Sequence, residues 1–224
     1  NCKIYENHQD GIFTGYSTSI VLNSLIYRNG SGSYYYGIHL DNPSSNPVVR
    51  NNTITYNTNE GIRFVGSNAP LVRNNILYYN NDSTQNKPQL SGITVFDHCC
   101  IYDPNDPNGI NTTPDMNGNI TCRPGFVYED ESATPLFYLD ATSPCRDAGD
   151  NDIYTDEFDI KKAPRVYGAL VDIGADEVVC ENTSHSLDWN YDGLVNYYEF
   201  NFFSQAWLTH DPNDPSIGDP NMSD

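Results

Sequence analysis

The strongest constraint on this chain is a seven-residue phrase, opened and closed by asparagine, that recurs along its first third. Four copies are Asn1-Cys-Lys-Ile-Tyr-Glu-Asn7, Asn23-Ser-Leu-Ile-Tyr-Arg-Asn29, Asn51-Asn-Thr-Ile-Thr-Tyr-Asn57 and Asn74-Asn-Ile-Leu-Tyr-Tyr-Asn80. They are spaced by 22, 28 and 23 residues. A Gly-Ile pair follows each copy: Gly11-Ile12, Gly37-Ile38, Gly61-Ile62 and, after an insertion, Gly92-Ile93. The later copies are preceded by apolar pairs, Ile20-Val21, Val48-Val49 and Leu71-Val72. Self-similarity at a period of this size signals stacked units that cannot bury their apolar faces singly.

The physical reading is a wound ribbon with one turn per repeat. Ile4, Ile26, Ile54 and Leu77 point inward from short strands and stack into one core. Asparagine at the corners tolerates the left-handed backbone and can hydrogen-bond to its counterpart one turn on. Glycine gives further conformational freedom at a turn. The expected fold class is therefore all-β, a parallel solenoid.

These repeats resemble those of right-handed parallel β-helix proteins, a group that includes polysaccharide lyases, pectin-acting hydrolases, phage tailspikes and adhesins. The resemblance covers residues 1–97. Further on, Ser143-Pro-Cys-Arg-Asp-Ala-Gly149, Pro164-Arg-Val-Tyr-Gly168 and Val171-Asp-Ile-Gly-Ala-Asp-Glu177 resemble the closing segment of many secreted bacterial β-helix proteins. That likeness implies an irregular cap over residues 98–179, in which Asp147, Asp172 and Glu177 fix turns.

Asp188-Trp-Asn190-Tyr-Asp192-Gly193-Leu194-Val-Asn196-Tyr-Tyr-Glu199 fits the twelve-residue calcium loop at each diagnostic place. Asp188, Asn190 and Asp192 offer side-chain oxygens, Leu194 its carbonyl, Asn196 a direct or water-borne contact, and Glu199 a bidentate carboxylate. Phe200, Phe203 and Trp207 then recur at helical spacing, so a helix is expected after the loop. The unit over residues 180–210 is a small EF-hand-like loop–helix, followed by an acidic Pro-rich tail over 211–224. It resembles one half of a type I dockerin, which would imply a cohesin partner. The second half is missing, because Asp211-Pro-Asn-Asp214-Pro lacks the glycine and the closing glutamate.

Charge excludes one class of partner. The net charge is −19, and no Lys or Arg occurs from residue 166 onward. Nucleic acid binding needs the opposite sign. No apolar run reaches membrane-spanning length. The six cysteines lack zinc-ligand spacing, which favours disulfides in an extracellular, oxidising setting. Proximity suggests Cys99 or Cys100 with Cys122, and Cys145 with Cys180. The chain opens in the middle of a repeat, so it is expected to be a processed product or a piece of something longer. An open first turn would then invite end-to-end self-association.

Aligning the turns places Arg50 with Arg73, and Arg28 with Tyr56 and Tyr79. Such a ladder could hold an anionic polysaccharide, since rings stack on sugar faces and guanidinium pairs with carboxylate. Outward residues of an ordinary parallel sheet would look the same. Asp97-His98 resembles part of a pectate lyase motif whose other parts are missing, and no residue is assigned a catalytic role. Three expectations follow. The first is a non-catalytic extracellular structural or surface-attachment protein stabilised by Ca2+. The others are the tail of a polysaccharide lyase or glycosidase, and a carbohydrate-binding module.

Overall fold

A computed structural model describes residues 1–31, 34–80, 88–102, 117–127, 137–151 and 158–179. The chain divides into two units, Asn1–Cys180 and Glu181–Asp224, and the second lies outside the described residues. The calcium loop, the helix after it and Cys180 therefore lie outside them too. Among the described residues there is no helix long and apolar enough to cross a membrane.

Among the described residues twelve short strands wind into three parallel sheets. Sheet A holds β1 (Lys3–Tyr5), β4 (Leu25–Tyr27), β7 (Thr53–Thr55), β10 (Ile76–Tyr78) and β12 (Cys100–Tyr102). Sheet B holds β2 (Ile12–Gly15), β5 (Ile38–Asp41), β8 (Ile62–Val65) and β11 (Leu90–Ser91). Sheet C holds β3 (Ile20–Leu22), β6 (Val48–Arg50) and β9 (Leu71–Arg73). The Asn-bounded phrases thus form sheet A, the residues after Gly form sheet B, and the apolar pairs form sheet C. Stacking does not stop at residue 97, because β12 continues sheet A and Cys100 bridges onward to Ile120.

Register puts Ile4, Ile26, Ile54, Leu77 and Ile101 in one file. Facing files come from Val21, Val49 and Val72 on sheet C and from Ile38 and Ile62 on sheet B, all in one buried cluster. One expectation needs correcting. The fourth partner of Ile62 is Leu90 and not Ile93, so Gly92-Ile93 is not the equivalent of Gly61-Ile62. The insertion shifted the frame, and Gln89 stands where the glycine would be.

The two tasks expected of corner asparagines fall on different residues. Asn23, Asn51 and Asn74 adopt the left-handed conformation, with φ of 50°, 55° and 54°. At the other corner the left-handed residues are Glu6, Arg28, Tyr56 and Tyr79. The asparagines beside them form the ladder. Asn7 Nδ2 donates to Asn29 Oδ1 (2.8 Å), Asn29 Nδ2 to Asn57 Oδ1 (2.9 Å), and Asn57 Nδ2 to Asn80 Oδ1 (2.8 Å). Each acceptor oxygen also takes the backbone N–H of the preceding ladder residue, as Asn57 Oδ1 does from Asn29 N at 3.0 Å. Gln89 Oε1 closes the row, accepting from Asn80 N and Nδ2. A second ladder runs from Ser24 N through Asn52 to Asn75. Buried amides of this kind must be satisfied, and only the next turn can do it.

The repeating glycine also has a different reason from the one expected. Gly11, Gly37 and Gly61 are not among the residues with positive φ. Instead, a Cβ on Gly37 would sit 2.6 Å from Gly61 O and 2.9 Å from Asn57 Nδ2. The missing side chain lets the ladder amide of the next turn approach.

The described residues of 122–179 form none of the three sheets. Asn1 Nδ2 donates to Phe158 O and Asp159 O, Ala175 N to Thr53 Oγ1, and Gly174 N to Asn74 O. The closing segment therefore crosses the outside of sheet A along its length. Gly174 has φ of 108° and presses on Ile76, whose Cδ1 is 2.5 Å from where a Cβ would stand.

Two substitutions test this account. Asn57→Ala orphans buried donors and acceptors on both adjoining turns and should cost about 3 kcal/mol or more. Gly37→Ala forces the turns apart and should cost about 1–3 kcal/mol. Denaturant unfolding reads both, and a Gly37→Ala chain as stable as the parent would reject the close-approach argument.

Candidate functional site

The ladder expected to hold an anionic glycan borders sheet A: Arg28, Tyr56 and Tyr79 each follow one of its strands, and Arg50 and Arg73 end strands of sheet C. In a strand, neighbours point to opposite sides. With Ile26, Ile54 and Leu77 inside, the residues flanking them face outward: Leu25 and Tyr27, Thr53 and Thr55, Ile76 and Tyr78. All six are buried, and Tyr78 is 0 % exposed. The cover is a second apolar cluster, which adds Phe126, Phe137, Leu139, Cys145, Ile173 and Ala175 from the closing segment. From β4 to β10 sheet A is buried on both faces, whereas Lys3 and Tyr5 of β1 stay exposed.

The tyrosines of the Arg/Tyr ladder pack against this contact. Tyr56 and Tyr79 stack at 5.0 Å and 10°, at the left-handed corner shared with Arg28. Tyr56 also stacks on Phe137 of the closing segment, with centroids 5.8 Å apart. Tyr27 and Tyr78 share a file, but Thr55 stands between them. Each stacks with another ring instead, Tyr5 and Tyr102 respectively.

Arg50 and Arg73 are register partners at the end of sheet C, and Arg50 is buried. Arg73 is held by the chain's own carboxylates. Its Nη2 lies 3.0 Å from Asp97 Oδ2, and its Nη1 lies 3.2 Å from Asp150 Oδ2. Asp97 is thereby committed to Arg73, while His98 Nδ1 is 3.5 Å from the same carboxylate.

The acids of the closing segment bind backbone. Asp172 accepts from Asp147 N (2.7 Å) and Val178 N (2.6 Å), and Glu177 from Tyr167 N (2.9 Å) and Asp172 N (3.1 Å). Asp159 accepts from Lys161 N, Ala163 N and Glu177 N. Arg165, 1 % exposed, donates to Asp172 O and Gly174 O and lies 4.0 Å from Glu177. Lys161 pairs with Asp176 at 2.9 Å. Burial, reinforced by the charge of Asp172, pushes Glu177 up to about 8. Burial raises Asp176 to about 6, against the pull of Lys161. These groups knot the segment together, and among the described residues no group of three His, Cys, Asp or Glu is disposed to hold a metal.

The sequence reading missed the outer face of sheet B. Phe13, His39, Arg63 and Ser91 form one outward file. His39 Nδ1 lies 3.3 Å from Asp10 Oδ2, and its ring meets Tyr36 and Phe13 edge-on. Arg63 Nη1 donates to Ser91 Oγ, and Phe13 is 59 % exposed. The signal was present in the residue after each inward Ile: Ile12-Phe13, Ile38-His39 and Ile62-Arg63.

Residues 1–136 match the family described as a right handed beta helix region. The chain belongs to that family. No curated protein and no solved structure matches it.

The buried acids set a pH dependence. Glu177 takes up a proton in the folded chain as pH falls through about 8, whereas unfolded it waits until about 4.5. The folded state therefore binds more protons between those values, and stability rises as pH falls through that window. The melting temperature should be higher at about pH 6 than at about pH 9, and a flat or opposite trend would reject the assignment.

Proposed function

We propose that this chain is a non-catalytic, extracellular structural or surface-attachment β-helix protein. One observation carries the reading: the outer face of sheet A, which would form the floor of a glycan groove, is packed under the chain's own closing segment. A ligand could reach Leu25, Ile76 or Tyr78 only by displacing an apolar cluster, at about 1.5–3 kcal/mol for each large side chain exposed. Arg73, the best-placed cation for a uronate, already has Asp97 and Asp150 around it. Cysteines able to form disulfides and the excess of acid suit a durable protein outside the cell.

A second reading, a carbohydrate-binding module, draws on the file of Phe13, His39 and Arg63 and not on the Arg/Tyr ladder. Aromatic and cationic side chains share an uncovered surface there.

One experiment separates these from the lyase or glycosidase reading. The full chain is incubated with a panel of neutral and acidic polysaccharides, and unsaturated products, new reducing ends and retention are measured. The expected result is neither turnover nor retention. Reproducible turnover would overturn the proposal, and retention abolished by Phe13→Ala would transfer it to the binding module.

Calcium completes the proposal. Asp188, Asn190, Asp192, Leu194, Asn196 and Glu199 supply the oxygen donors that a hard cation takes. The ion would bridge the oxygens of that loop, and the half-dockerin pattern leaves its docking partner unassigned. Calorimetric titration should show one calcium bound per chain, weakened at least about tenfold by Glu199→Gln, which loses the bidentate carboxylate. Titration without heat or saturation would dismiss the ion.

A further inference from the structure

Cys99 and Cys100 are adjacent in sequence but face opposite ways. Cys99 lies in the inner core with Ile101, and Cys100 lies in the outer cluster beneath the closing segment. There it meets two other cysteines. Its thiol is 3.3 Å from the carbonyl oxygen of Cys122 and lies within hydrogen-bonding reach of the Cys122 and Cys145 thiols. Cys122 arrives because Ile120 pairs with Cys100. Cys145 arrives because its backbone carbonyl accepts from Ile173 N, which packs it against sheet A. All three carry thiols in this structure, and they are not disposed as a metal-ligand set.

Three thiols around one centre allow one disulfide at a time. Their surroundings differ. Cys100 and Cys145 are buried, whereas Cys122 is partly exposed. The neighbouring Cys100 side chain lowers the Cys122 thiol to about 7, while contact with its two neighbours and burial raise Cys100. The thiolate is the nucleophile in exchange, so reactivity and access fall on the same sulfur.

We infer that Cys100, Cys122 and Cys145 form a thiol relay in which Cys122 reacts with an external disulfide and the bond finishes between Cys100 and Cys145, stapling the closing segment to the last turn of sheet A. The oxidant is a low-molecular-weight disulfide. Cys122 Sγ attacks one of its sulfurs and expels one thiolate. Cys100 gives up its proton and attacks Cys122 Sγ, expelling the second. The oxidant has then taken two electrons and, with the two protons released, leaves as two thiols. Cys145 next attacks Cys100 Sγ and loses its proton, and Cys122 leaves as a thiolate and regains one. That last step changes no oxidation state. It runs toward Cys100–Cys145 because Cys122, whose thiol is lowered to about 7, is a good leaving group, and because the bond between the two buried cysteines is shielded from further exchange. It also returns the solvent-facing position to a thiol. The inference does not depend on the functional reading above, since it concerns how the fold is locked.

The test uses the full chain, reduced and then exposed to oxidised glutathione. Samples are blocked at intervals with N-ethylmaleimide, digested without reduction, and mapped by mass spectrometry. The expected record is glutathione on Cys122 early and a Cys100–Cys145 link late, with Cys99 and Cys122 blocked by maleimide. Cys99→Ala should leave this unchanged. Cys122→Ala should slow oxidation at least about tenfold while keeping the final link. A terminal link from Cys100 to Cys122, a link from Cys145 to Cys180, a link through Cys99, or an unchanged rate in Cys122→Ala would each overturn the relay.

Discussion

The structure depends on a side-chain amide that can be satisfied only by the next turn. Asn29, Asn57 and Asn80 lie buried at one corner, each accepting from one neighbour and donating to the other. A strand of three residues makes too few backbone hydrogen bonds to hold register alone. The amide row adds a directional bond per turn, and the missing side chains of Gly11, Gly37 and Gly61 let that bond form. Register then follows, and with it the file of Ile and Leu residues that fills the interior. Where the row meets an insertion, Gln89 supplies the same oxygen and the stack continues.

A solenoid sheet has an inner face owned by the core and an outer face open to water, ligand or more chain. Here sheet A takes the last course. Its outward positions include Leu25, Tyr27, Ile76, Tyr78 and Cys100, which need cover, and residues of the closing segment such as Phe126, Phe137, Leu139 and Ile173 provide it. That cover is irregular, so its backbone polar groups have few ladder partners. Asp159, Asp172 and Glu177 meet the need by accepting backbone N–H groups, and Arg165 by donating to two carbonyls. The acids that composition alone presents as surface charge are, at these positions, buried structural acceptors. The uncovered chemistry lies instead on sheet B.

Much of this was legible before any coordinates. Asn-bounded phrases fixed the number of early turns, and the placement of Ile26, Ile54 and Leu77 in one column follows from their spacing. The Gly92-Ile93 pair misled, because a local motif match cannot see that Gln89 reaches back to the ladder. The Arg/Tyr alignment was right as an alignment. What it could not show was that Phe137, far along the chain, stacks on Tyr56.

Sequence by itself determined the winding: period, inward files, corner asparagines and the class of fold, because each arises from residues interacting one turn apart. Tertiary structure alone decided which surface is available. Whether an outward Tyr or Arg meets solvent or protein depends on where an aperiodic segment comes to rest, and no repeat encodes that. It likewise decided which cysteines meet, since Cys99 and Cys100 differ only by the alternation of a strand whose two sides face two different cores.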